Sequence, residues 1–217
     1  MMLLCAVSGY AVGCLNPAYL IARRKGFDIR SAGSGNAGGS NALITMGKGI
    51  GIFCMLFDIL KAIAVILLWE RCLPGRRFVY PITAVSVVAG HCFPFYLKFR
   101  GGKGLASLSG SVLAFLPIIF GVMLALEALL LFASDYLCLV PITASVVFPF
   151  LYGFLTRDIS GACVLLLLPL MIVYRHRVNL KRIRKRTELR FSYLWKKEEE
   201  TARITGHDAD DSTDTAS

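Results

Sequence analysis

Gly49–Trp69, GIGIFCMLFDILKAIAVILLW, is a run of apolar residues interrupted only by Asp58 and Lys61. A helix needs about 18 to 20 such residues to cross the hydrocarbon core of a bilayer, and lipid offers no partner to an open backbone amide. The run therefore reads as a membrane-spanning helix. Asp58 and Lys61 lie three residues apart on one face of it, where they can pair and neutralise each other, and we read them as a structural ion pair.

Working outward, residues 3–22 form a first span interrupted near its end by Asn16-Pro17, and residues 78–97 form a third. From Leu105 to Tyr174 the chain is almost wholly apolar, broken at Pro117, Ser134-Asp135 and Arg157-Asp158. This division gives four further pieces, 105–116, 118–133, 137–155 and 159–174, the first too short to span at about 1.5 Å per residue. The predicted fold class is all-α: a polytopic integral membrane helical bundle of about seven helical pieces and five to seven crossings. A composition that is 56% hydrophobic, with mean hydropathy +0.63, agrees. Glu127, alone within a span, needs a partner on another helix or must stay protonated.

The net charge of +10 is concentrated. Arg175–Lys197 holds ten Lys or Arg against Glu188 alone, whereas from Glu198 onward seven acids face Arg203. Basic juxtamembrane segments mark the cytoplasmic side and meet anionic lipid. That places Arg23–Arg30, Lys98–Lys103 and Arg175–Glu188 in the cytoplasm and the N-terminus outside; the basic turn Arg71–Arg77 argues against this arrangement. No aromatic-studded basic surface supports a nucleic-acid partner. The seven cysteines show neither paired nor metal-ligand spacing and read as small buried hydrophobes. The acidic tail cannot bury a core and is expected to be disordered.

Three polar stretches then share one membrane face. Gly33–Asn41, GSGNAGGSN, puts four glycines, two serines and two asparagines between apolar segments. Glycines at positive φ can turn successive N–H groups inward to hold an anion, with Ser34 and Ser40 as hydroxyl donors and Asn36 and Asn41 fixing the loop or reading a ligand. A flexible turn between helices would have the same composition. His91–Gly104, HCFPFYLKFRGGKG, sets Lys103 among small neighbours, and Arg175–Glu188 carries His176 among arginines. His91 precedes Phe93-Pro94, as a residue capping a span would. His176 suits a neutral general base, or an interfacial anchor. Neither a dinucleotide site nor an ATPase fits: no βαβ unit surrounds Gly33–Gly38, and no Gly-Lys-Ser/Thr occurs.

Taken in order, Ser34–Asn41 with Gly47-Lys48, then Gly90-His91-x-Phe93-Pro94 with Gly101–Gly104, then His176-Arg177-x-Asn179-x-Lys181-Arg182 resemble the three motifs of PlsY-type glycerol-3-phosphate acyltransferases. The resemblance runs to Glu188. It implies a membrane acyltransferase domain over residues 1–190, a polar tail over 191–217, and a place in the bacterial cytoplasmic membrane with the motifs and C-terminus inside. The implied reaction moves an acyl group from acyl-phosphate to the 1-hydroxyl of glycerol 3-phosphate, giving lysophosphatidic acid and phosphate, with no metal and no cofactor. Ser34, Lys103, His176 and Asn179 would be catalytic. Gly35, Asn36, Gly38, Ser40, Asn41, Lys48, His91, Gly101, Gly102 and Gly104 would bind substrate or phosphate. The sequence departs from the family at Ile44, where an arginine is expected, and at Asp135–Cys138, where an Arg-Tyr-x-Ser pattern is usual. These departures leave open a different phosphorylated acceptor, and the intramembrane charges leave open an anion transporter.

Overall fold

The computed structural model describes residues 1–194, 196, 198–200 and 203. Ten α-helices are assigned among them: α1 (Met2–Cys14), α2 (Pro17–Arg24), α3 (Gly39–Met46), α4 (Lys48–Cys72), α5 (Val79–Cys92), α6 (Leu105–Phe115), α7 (Pro117–Ser134), α8 (Leu139–Thr156), α9 (Ile159–Leu165) and α10 (Leu167–Arg184). Consecutive pieces combine into six stretches long and apolar enough to span: Met2–Arg24, Lys48–Cys72, Val79–Leu97, Pro117–Ser134, Leu139–Thr156 and Ile159–Arg184. With the short α6 these are the seven expected pieces. The last runs ten residues beyond the expected 174, because the helical ladder continues through the basic segment to Arg184.

The break in the first span has a visible cause and a visible repair. Pro17 has no N–H to continue the ladder, and the Asn16 side chain accepts from the Tyr19 N–H at 2.9 Å to start α2. The carbonyls of Gly13 and Leu15 are thereby orphaned inside the membrane. Lys61 of α4 reaches them, donating at 2.9 and 2.7 Å. The same ammonium meets Asp58 at 2.6 Å, both side chains almost fully buried. The expected ion pair therefore does a second task as a helix cap.

Helices α1 and α5 touch backbone to backbone. A Cβ on Gly13 would collide with the Val87 carbonyl, and one on Gly90 with the Tyr10 carbonyl. Lipid tails are as apolar as leucine, so small residues and close backbone contact drive such pairs. The core between α4, α5, α6, α8 and α10 is built from Ile66, Val87, Leu108, Phe148, Leu168 and Ile172, with Tyr80 stacked on Tyr152 at 5.5 Å. Outside it, Leu129, Phe132, Phe150 and Leu170 are exposed, as lipid-facing residues should be.

Two polar contacts define the two ends of the bundle. Arg77, from the turn after α4, pairs with Asp158 at 2.6 Å and donates to Ser160 at 3.0 Å. At the other end Asp135 accepts from the Ser192 N–H at 2.7 Å and hydroxyl at 2.6 Å. The turns 71–77 and 157–158 thus lie together, opposite the end carrying 135 and 192. This is the arrangement that an even number of crossings after Leu105 requires. In the basic turn Arg77 has an acidic partner, Asp158.

Glu127 finds its partner on the next helix, the Thr143 hydroxyl at 2.7 Å. Of the tail, Phe191–Leu194 forms a single 3₁₀ turn and Glu200 binds Arg203 at 2.7 Å; the rest from 204 lies outside the described residues.

Removing one member of the buried pair strands the other charge, at a cost of about 3–5 kcal/mol. Lys61→Met should lower the unfolding temperature in detergent sharply, and Asp58→Asn added to it should recover part of the loss. A double variant as unstable as the sum of the two singles would contradict the coupling.

Candidate active site

The glycine-rich stretch divides in two. Residues 33–38 are loop, with Gly33 at φ +56° and Gly35 at φ +70°, whereas Gly39 already begins α3. The helix was not expected there. It forms because Gly39 and Gly51 let α3 lie directly on α4: a Cβ at Gly51 would strike Leu43, and one at Gly39 would strike Met55. Asn41, on its first turn, is fully buried and clamps the loop. Its Oδ1 accepts from the Ser34 N–H at 2.8 Å, while its Nδ2 donates to the Ile29 and Ala32 carbonyls at 2.9 Å each. Asn41 therefore fixes the loop and has little left to offer a ligand. The buried Asn16 donates to the Ala37 carbonyl at 2.8 Å, so the helix break also anchors this loop.

Ser34 and Ser40 are exposed, and neither hydroxyl has a partner among the described residues. Asn36 differs, since its Oδ1 is buried with no partner among the described residues and its amide nitrogen lies against Gly38. A buried acceptor left open costs free energy until something donates to it. Lys48 is exposed at the start of α4, with no described partner.

The second loop is seated on the first. The Cβ position of Gly38 lies 3.9 Å from the Gly102 Cα. Arg30, held by Asp28 at 2.7 Å, donates to the Leu97 carbonyl at 2.8 Å and ties the two loops again. That guanidinium holds the Asp28 carboxyl down at about 2. Beneath the loop sits His91, buried, its Nδ1 3.3 Å from both Lys61 and Asp58 and its Nε2 packed where a Gly102 side chain would go. His91 thus supports the glycine loop from behind.

The third segment closes the site. Arg175 donates to the Gly102 carbonyl at 3.0 Å and the Gly101 carbonyl at 2.6 Å. Lys103 donates to Asn179 Oδ1 at 2.7 Å, and Asn179 Nδ2 donates to Glu188 Oε1 at 2.5 Å. Glu188 Oε2 is buried with no described partner. Burial lowers the Lys103 proton affinity from its ordinary 10.5, with Glu188 opposing the shift and Arg175 and Arg182 adding to it. His176 is 2% exposed, and its Nδ1 lies 2.8 Å from the Ile172 carbonyl. A carbonyl only accepts, so Nδ1 carries the proton and Nε2 is left as the acceptor. Cys138, close to Glu188 and Lys103, has its thiol pushed up to about 11 by burial and then by Glu188, which makes it a poor nucleophile. Gly104, at φ +94°, packs against Cys92 and Ile172 and turns the chain into α6.

The three segments accordingly meet: the first touches the second at Gly38 and Gly102, and the second is bonded to the third through Lys103 and Arg175. Three participants escaped the sequence reading, namely Asn16, Arg175 and Glu188. Arg175 and Glu188 flank a motif already singled out, and Asn16 marked a break; nothing in the sequence told that their bonds go to these loops.

A sequence model of the family described as Glycerol-3-phosphate acyltransferase matches residues 3–186. The chain belongs to this family. A Glycerol-3-phosphate acyltransferase of Rubrobacter xylanophilus is 34% identical over 183 residues, which cover 84% of this chain and 92% of the relative. Two crystal structures of PlsY (YgiH), an integral membrane glycerol 3-phosphate acyltransferase, share the fold at 29% identity. The glycerol 3-phosphate form has a TM-score of 0.80 and the lysophosphatidic acid form 0.77, each covering 89% of this chain and 96% of its own. Within this acyltransferase family member, Lys103 offers a cation whose charge is lost at lower pH than usual. Binding of inorganic phosphate, followed by calorimetry, should weaken on the alkaline side with a midpoint below 10.5. Lys103→Arg should hold that binding to higher pH, and an unchanged profile would show that another cation carries it.

Proposed function

We infer that the protein transfers an acyl group from acyl-phosphate to the 1-hydroxyl of glycerol 3-phosphate, releasing lysophosphatidic acid and inorganic phosphate. The observation that carries this reading is the bonding of Lys103 to Asn179, beside a glycine loop held by Arg175, at one end of a membrane bundle. Likeness to relatives named for glycerol 3-phosphate supports the acceptor.

The chemistry suits these groups. An acyl-phosphate is a mixed anhydride, so positioning and charge stabilisation suffice and no protein nucleophile is needed. The attacking hydroxyl donates to His176 Nε2, the nitrogen left free by the Ile172 contact. The new ester C–O bond forms as the C–O bond to phosphate breaks, and the proton leaves on the departing phosphate. Lys103 stabilises the negative oxygens, with the hydroxyls of Ser34 and Ser40 and the open Asn36 region completing the polar surround. His91 and Asn41 act through the loops they hold. Asp58, Lys61 and Glu127 all have partners, which removes the main support for an anion transporter.

Purified protein given acyl-phosphate and glycerol 3-phosphate should form lysophosphatidic acid, whereas acyl-CoA should not serve as donor. Lys103→Ala and His176→Ala should each lose at least about a hundredfold in rate while still folding in detergent. Full activity in both would remove the assigned roles. A second reading keeps the chemistry and changes the acceptor: Cys138 stands beside Lys103 and Glu188, in the segment that departs from the family. Preference for another phosphorylated alcohol in an acceptor panel would establish it.

We further infer that the motif end faces the cytoplasm. Cys72, exposed at the Arg77 end, should then react with a membrane-impermeant thiol reagent added to intact cells. Labelling only after lysis would reverse the orientation.

A further inference from the structure

A narrow cleft of about 60 Å³ opens between α6, α7 and α8. Leu105 and Val140 are at one end of its wall, and each stands two residues from the site: Leu105 from Lys103, Val140 from Cys138. Leu108, Val112, Met123 and Ala144 continue the wall along the bundle. α6 is about 16 Å long, so it lines roughly one leaflet of a core about 30 Å thick. An apolar slot that starts beside the anion-binding lysine and runs along a leaflet has the form of a binding place for an acyl chain whose polar end lies at Lys103.

Glu127 interrupts that wall. It precedes Asp135, at the motif end, by eight residues, which sets it about 12 Å into the bundle. The Thr143 hydroxyl is 2.7 Å from its Oε2, and Oε1 has no partner among the described residues. Intramembrane carboxyls are expensive and warrant a functional reading. Methylene groups running past Oε1 would leave it among apolar atoms with no donor, whereas a chain ending short of it leaves that part of the cleft to water entering from the polar end.

We propose that Glu127, held by Thr143, is a specificity-determining residue that opposes the passage of long acyl chains through the α6–α7–α8 cleft. This rests on the acyl-transfer reading above. It predicts discrimination by chain length at a depth, not a change in the chemical step. Ser109, the other polar residue of the wall, belongs to α6 and lies nearer the mouth.

The test compares hexadecanoyl- and decanoyl-phosphate as donors for the wild type, Glu127→Leu and Glu127→Gln. The ratio of kcat/KM, long over short, should rise about tenfold in Glu127→Leu, the factor that one unpaired buried oxygen sets. It should stay near the wild-type value in Glu127→Gln, which keeps a polar end. An unchanged or lower ratio in a folded Glu127→Leu protein overturns the proposal; Glu127→Met replaces it if the leucine variant does not fold. Thermal stabilisation by lysophosphatidic acids of the same two chain lengths reads the preference without turnover. A wild type that transfers no acyl group fails the functional reading, and the stabilisation series still decides the cleft: equal gains from both chains, before and after Glu127→Leu, would sink it.

Discussion

The Lys61 ammonium is the contact on which both the bundle and the site depend. It satisfies the two carbonyls orphaned where Asn16-Pro17 breaks the first span, and it neutralises Asp58. Without it, the two carbonyls would lose their described donor and Asp58 would keep only His91 beside it, each at the cost of a buried polar group left short of partners. His91 joins the same cluster and stands under Gly102, so the charge that holds the helices also sets the height of the loop bearing Lys103. Stability and site geometry are therefore linked through one buried group.

The polar residues fall into two kinds by how completely they are bonded. Asn41, Asn16, Arg30 and Arg175 spend their donors on backbone carbonyls of the loops, and they shape those loops. Among the described residues the hydroxyls of Ser34 and Ser40 have no partner, and neither does one buried oxygen of Asn36 and of Glu188. A rigid scaffold of satisfied groups presenting a few unsatisfied ones is what pre-organised electrostatic catalysis requires. Lys103 stands between the two kinds: one of its three donors is spent on Asn179, and no bond to a loop carbonyl is described for the others.

Much of this was legible in the chain. Apolar run lengths gave the seven pieces, and 105–116 was recognisable as a piece too short to span alone, which α6 is. The Asp58–Lys61 spacing predicted their pairing, which the structure contains. The three motifs were visible because glycine, lysine and histidine are uncommon between apolar runs, and family membership confirmed their source. The readings that changed concern residues whose type permits several tasks. For Asn41, open between fixing the loop and reading a ligand, the structure shows the clamp, and the last three residues of the glycine-rich stretch are the first turn of a helix.

What the sequence determined by itself is what short-range physics controls: helix length against bilayer thickness, the i, i+3 ion pair and the breaks at proline. Only the tertiary structure decided which carbonyls Lys61 caps, that Arg175 joins His91 in holding the glycine loop, and that Asn179 is shared between Lys103 and Glu188. Glu127 shows the boundary most clearly, since its need for a partner is a property of one residue in lipid, whereas Thr143 and the cleft beside them exist only once α7 lies against α8. Long-range hydrogen bonds join positions tens of residues apart, and no local pattern records them until packing brings the helices together.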